Sequence, residues 1–220
     1  MTLPTDLEPI VLAVRDAALQ LVQDERGVRV EDYLTVLAAA AGEATLVDAD
    51  LFDIEANDLT PGAGVFGDAI NQVLTGDATD AAGLHPTTTV GVLVDQLVPD
   101  VVGTDAFGEL GERYARVAAA AGSLPWGEVA VALPDDHRPW VLPLRVAFEL
   151  RPLVVAAAAA AADAGWSRHE VVAAALASAI AQAAGALDPP TSVGLALDVT
   201  FGMAKVVPMS RAAFEEAAGG

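Results

Sequence analysis

Apolar side chains recur along most of this chain every three or four positions, the spacing of one buried helical face. Leu7, Ile10, Val11, Val14, Ala18, Leu21 and Val22 fall on such a face, predicting a helix from about Leu7 to Asp24, capped by Asp6 and ended by Gly27. A second helix follows from about Val30 to Val47. Its stripe is Tyr33, Leu34, Leu37, Ala38 and Ala41, and Glu31 and Asp32 sit in its first turn, where the helix dipole favours carboxylates. Beyond an acidic loop over Asp48–Gly62, Phe66, Ile70, Val73 and Leu74 predict a short helix over about Val65–Leu74, stopped by Thr75-Gly76-Asp77. After a loop over Asp77–Pro86, further helices are expected over Thr88–Val98, closed by Pro99, and over Asp105–Ala121, capped by Thr104, with Phe107, Leu110, Tyr114 and Val117 facing the core.

Gly122–Pro143 breaks the pattern. It holds Pro125, Trp126, Pro134, Pro139, Trp140 and Pro143, and only Glu128–Leu133 alternates enough to suggest one short strand. Helical spacing resumes over Leu144–Ala164, where Pro152 should kink or break the helix and Gly165 should end it. Ser167-Arg168-His169-Glu170 is a capping box opening a helix that runs to Ala184. Both helices are rich in alanine and joined by a short connection, so they are expected to pack as an antiparallel hairpin.

Over Asp188–Val207 two periods compete. Val193, Leu195, Leu197, Val199 and Phe201 alternate as in a strand, while Val193, Ala196, Leu197, Thr200 and Ala204 fit one helical face. Asp188-Pro189-Pro190 supplies a cap and a proline at the first helical position, and decides the reading for helix. Pro208 ends it and Ser210 caps a short last helix. The fold class that results is all-α: a globular bundle of about eight helices with room for one short strand or hairpin, forming a single helical domain over residues 1–220.

Composition narrows the function classes. The net charge is −20, from 31 acidic and 11 basic side chains. Such a surface repels phosphate backbones and anionic lipid, so neither nucleic acid nor membrane is an expected partner. The longest apolar stretch, Leu153–Ala162, falls far short of the roughly 20 residues that span a bilayer. Met1-Thr2-Leu3-Pro4-Thr5-Asp6 has no basic start and no apolar run after it. With no cysteine, disulfides and thiolate chemistry are absent. These features fit a soluble, cytoplasmic protein.

Motifs that carry chemistry are scarce. A calcium-loop register starting at Asp53 puts Glu55 and Asn57 at ligand positions. It then places Asp58 where the turn glycine belongs and Gly64 where the bidentate glutamate belongs, so no metal is expected. Gly62-Ala63-Gly64-Val65-Phe66-Gly67 matches a dinucleotide fingerprint by letter but follows no strand; it reads as a flexible entry to the third helix, and no cofactor is expected. No serine nucleophile elbow or phosphate-binding glycine loop occurs, and His85 and His169 have turn and capping surroundings. Asp198, and Glu149 between Arg145 and Arg151, suit ion pairs.

One polar cluster stands out: Asp135, Asp136, His137 and Arg138, with Trp126 and Trp140 nearby. An aspartate beside an imidazole can orient it as a base, an arginine can clamp a carboxylate or phosphate, and tryptophans can wall a pocket. The same residues also read as a surface turn, with the tryptophans pinning a loop to the core. Two functions follow. One is action through protein–protein or homo-oligomeric contacts, without catalysis. The other is a small-ligand binder or enzyme using the loop near residues 122–143, its ligand unnamed by the sequence.

Three stretches resemble an uncharacterised bacterial protein family. They are Val65-Phe66-Gly67-Asp68-Ala69-Ile70-Asn71, Asp136-His137-Arg138-Pro139, and the segment from Asp188-Pro189-Pro190 to Val206-Val207-Pro208-Met209-Ser210. The resemblance implies that the Asp-Pro segment opens a helix ending near the Pro-Met-Ser turn. It implies no catalytic residue.

Overall fold

The computed structural model describes residues 3–49, 53, 54, 56, 59–75, 110–120 and 124–219. The helix expected over Thr88–Val98, the Asp77–Pro86 loop with His85, and the Thr104–Phe107 start of the next helix lie outside them. Among the described residues the fold is all-α: eight α-helices and one two-stranded antiparallel hairpin. The helices are α1 (Glu8–Val22), α2 (Val30–Asp48), α3 (Asp68–Thr75), α4 (Leu110–Ala120), α5 (Pro143–Ala161), α6 (Arg168–Ala183), α7 (Pro189–Met203) and α8 (Arg211–Gly219).

The centre is α2. Every residue from Tyr33 to Leu46 is buried, so the sequence stripe understates it: a helix enclosed on all sides needs no polar face. It packs on α7, α6 and α5, while α1 covers α5 and α6. The alanine-rich α5 and α6 touch each other, but each has its larger contact with α2. α7 is as enclosed as α2, which settles the competition over residues 188–207. The Asp188 carboxylate accepts from the Thr191 N–H (3.1 Å), Pro189 opens the helix, and both sides of the alternating pattern are buried.

Small residues set how closely α2 and α7 approach. A Cβ on Gly42 would lie 2.5 Å from Thr200 O and 2.6 Å from Met203 Cβ. Thr200 Oγ1 donates across the same crossing to Ala38 O at 3.2 Å. Thr35, on the same buried helix, has a hydroxyl with no hydrogen-bond partner among the described residues. Buried charge stitches the rim. Arg15 donates to Tyr33 Oη (3.1 Å), Ser178 Oγ (2.9 Å) and Gln182, joining α1, α2 and α6. Burial raises the Tyr33 pKa against the lowering effect of Arg15. Glu43 receives two N–H groups of Arg151 (2.6 and 2.9 Å), which also donates to Met209 O. His169 and Asp48 meet at 2.7 Å, beside the Ser167–Glu170 capping box, which is fully formed. Glu149 pairs with Arg145 at 2.8 Å.

Four local expectations need correction. The first helix stops at Val22: Gln23–Asp24 pairs with Gly27–Val28 in a hairpin turned by Gly27 at φ +114°. Its cap position is Leu7, with no side-chain cap bond from Asp6. The third helix starts at Asp68, not Val65, because Gly62–Val65 is occupied elsewhere. Its backbone bonds to the chain after α7: Gly62 N–H to Val207 O (2.8 Å), Val207 N–H to Ala63 O (2.7 Å) and Val65 N–H to Lys205 O (2.7 Å). Thus the segment read as a flexible entry is a fixed β-bridge. Pro152 does not interrupt α5, which is continuous over its whole length. Finally, Glu128–Leu133 forms no strand and pairs with none among the described residues.

Lys205, the chain's one lysine, is buried beside that bridge. Its ammonium donates to Asn71 Oδ1 and lies 6.0 Å from the centre of the Phe66 ring. Burial pulls its pKa below the ordinary 10.5, partly offset by Asp68. No described helix is long and apolar enough to cross a membrane.

Candidate functional site

Residues 124–143 run from α4 to α5 along the bundle's surface, and two carboxylates at the start of α2 hold their second half. The Asp32 side chain accepts from the backbone N–H groups of Trp140 (2.6 Å) and Val141 (3.3 Å). Glu31 bonds His137 Nδ1 at 2.8 Å. Just before α2, Arg29 donates to the carbonyls of Arg138 (2.5 Å) and Asp136 (2.7 Å) and lies 4.5 Å from the centre of the Trp140 ring. Arg29 is itself paired with Glu31 at 3.4 Å. The bond to Glu31 raises the His137 pKa above its ordinary 6.5. Asp136 and Asp188 push the same way, and partial burial opposes them.

The six residues singled out by sequence therefore divide. Asp135, in a short 3-10 turn with Asp136 and His137, is exposed and pairs with Arg138 at 3.2 Å. Asp136 lends Arg29 its carbonyl, leaving its carboxylate exposed. His137 is committed to Glu31. Arg138 and Trp140 line a groove of about 420 Å³ with Leu124, Glu128, Val129 and Leu142. Trp126 belongs to a smaller recess of about 60 Å³ that also reaches Lys205 and Gly202. Neither concavity is lined by Asp135, Asp136 or His137. Trp140 is 75% exposed and Trp126 50%, so neither ring pins the loop by burial. Glu31 and Asp32 carry a second duty that sequence could not reveal. Both have a complete explanation as first-turn carboxylates, and their partners lie more than a hundred residues away.

The first half of the segment is held by apolar contact and one ion cluster. Val129, Val131 and Leu133 pack against the core, Val129 so tightly that a Cβ on Gly202 would meet its Cβ at 2.6 Å. Asp198, 1% exposed on α7, accepts from Arg113 and from Arg116 (2.8 Å) of α4, and its second oxygen accepts from the Ala132 N–H at 2.8 Å. Two guanidiniums and a peptide N–H make the buried carboxylate tenable. The ion pair expected for Asp198 is thus present, and its arginines stand one helical turn apart. Among the described residues, the backbone groups of Val129, Ala130, Val131 and Leu133 make no hydrogen bond within the chain. No group of three or more His, Asp or Glu side chains able to hold a metal occurs among the described residues.

Comparison with protein-family models, curated proteins and solved structures finds no match.

Proposed function

We propose that this chain acts by protein–protein contact without covalent chemistry, that its contact surface is the 124–143 segment, and that the partner is a second copy of the chain. One observation carries the reading: a run of backbone, Val129–Val131, that makes no hydrogen bond with the described residues, flanked by exposed Leu124, Trp126, Trp140 and Leu142. An extended chain with open N–H and C=O groups recruits another extended chain, and two identical ones related by a two-fold axis pair antiparallel with no further requirement. Tryptophans beside such an edge supply large apolar area at few rotamers, the residue type that anchors contacts between proteins. The local charge is mixed, with Glu128 and Arg138 both lining the groove, whereas the chain as a whole carries −20 and would repel its copy elsewhere.

The reading also takes residues 1–220 as one helical domain, since the described helices share a continuous core. It assigns the chain to the cytoplasm, where the absence of cysteine suits the reducing environment, and excludes nucleic acid and anionic membrane as partners on grounds of charge. Sedimentation across a concentration series tests it. A dimer is expected for the native chain and a monomer for Trp126→Asp, with unchanged circular dichroism in both. A native chain that stays monomeric at the highest concentration rejects the proposal, as does a Trp126→Asp dimer of undiminished affinity.

A further inference from the structure

Behind the Asp198 cluster, α4, the first turn of α7 and residues 132–134 enclose a recess of about 270 Å³, lined by Arg113, Arg116, Leu133, Pro134, Thr191 and Gly194 among others. We propose that this recess binds the oxyanion of a small ligand, a carboxylate or a phosphate, between the two guanidiniums and the opening of α7. Arg113 is 9% exposed and shares with Arg116 a single carboxylate, so among the described residues the cluster keeps one positive charge without a carboxylate partner. The Nε–H groups of both arginines are buried and have no acceptor among the described residues. A buried donor without a partner is costly, and these two lie inside the side chains that wall the recess, so a ligand there would meet the guanidiniums through their terminal Nη groups. The neighbouring carboxylate, Asp188, is spent on the Thr191 N–H and does not line it. Guanidinium planes are suited to two-pronged binding of carboxylate and phosphate, and the first turn of a helix adds partial positive charge. Leu133, Pro134 and Pro190 offer apolar wall, which fits a short organic acid or phosphate ester as well as the free ion.

The test is a titration of the full chain with inorganic phosphate and with butyrate, against chloride at equal ionic strength. Expected is a saturable rise in Tm with at least one of the two oxyanions. It should weaken tenfold or more in Arg116→Gln and persist in Arg145→Gln, an exposed arginine on α5. Response to phosphate alone points to a phosphate-bearing ligand, and response to butyrate alone to a carboxylic acid. No saturable rise beyond chloride, or an equal response in Arg116→Gln, overturns the proposal. The Arg Nε–H resonances of the native chain give a readout that needs no variant: those of Arg113 and Arg116 should move on binding, and resonances unmoved by both oxyanions also overturn it.

Discussion

The α2–α7 crossing and the 124–143 segment are held by opposite means. At the crossing, a glycine and a threonine let two backbones close until no methyl group fits between them, and the constraint is volume. The segment instead lies on the surface, where the apolar contacts of Val129, Val131 and Leu133 are joined by charged tethers: Asp32 and Glu31 at one end, Asp198 at the other. Close packing resists any displacement, whereas point tethers fix a position and leave the backbone between them without a bond to the described residues. A bundle that needs a rigid interior and an adaptable face can obtain both from one chain in this way.

The largest expected effect falls on the one residue that serves both regions. Asp198→Ala strands two guanidiniums and releases Ala132, and should destabilise by about 4 kcal/mol in denaturant unfolding. Next comes a matched pair of glycines. Gly42→Ala drives a methyl into the Thr200 carbonyl between two enclosed helices and should cost about 3 kcal/mol. Gly202→Ala meets Val129 at almost the same distance, but on a tethered segment that can shift; about 1 kcal/mol is expected. Equal costs for the two would dissolve the distinction. Thr35→Val replaces a buried hydroxyl that has no partner among the described residues by a methyl of similar shape and should stabilise by about 1 kcal/mol, read from the same unfolding curves.

The smallest effect is one of pH. Because the folded state raises the His137 pKa, its bond to Glu31 contributes fully below the ordinary value of 6.5 and is lost as pH climbs through the higher folded value. The stability gap between the native chain and His137→Gln should therefore close as pH rises above 6.5. A gap that widens instead would mean that the pair is not the clamp described.

Helices were legible wherever one face was apolar and a cap or breaker marked the end: the Ser167–Glu170 box, Gly165, Asp188-Pro189 and Ser210 all act as read. Two of the misreadings share a cause. Gly62–Val65, Gln23–Asp24 and the start of α3 are set by backbone partners, some of them distant in the chain, and hydrophobic spacing is blind to those. The candidate site was half legible. Asp-Asp-His-Arg announced a polar cluster, yet its meaning depends on Arg29, which no pattern singled out, and on Glu31 and Asp32, which the helix start already accounted for. Asp198 was recognisable as a polar residue amid apolar neighbours; that its partners were Arg113 and Arg116 could not be read from a single chain.

Lys205 has a practical consequence. With Lys205 buried beside the Gly62–Val65 bridge, the folded chain presents little of its one lysine to acylating dyes or to amine-directed crosslinkers. The rate at which such a reagent enters that position therefore serves as a clock for the parting of the two bridged segments.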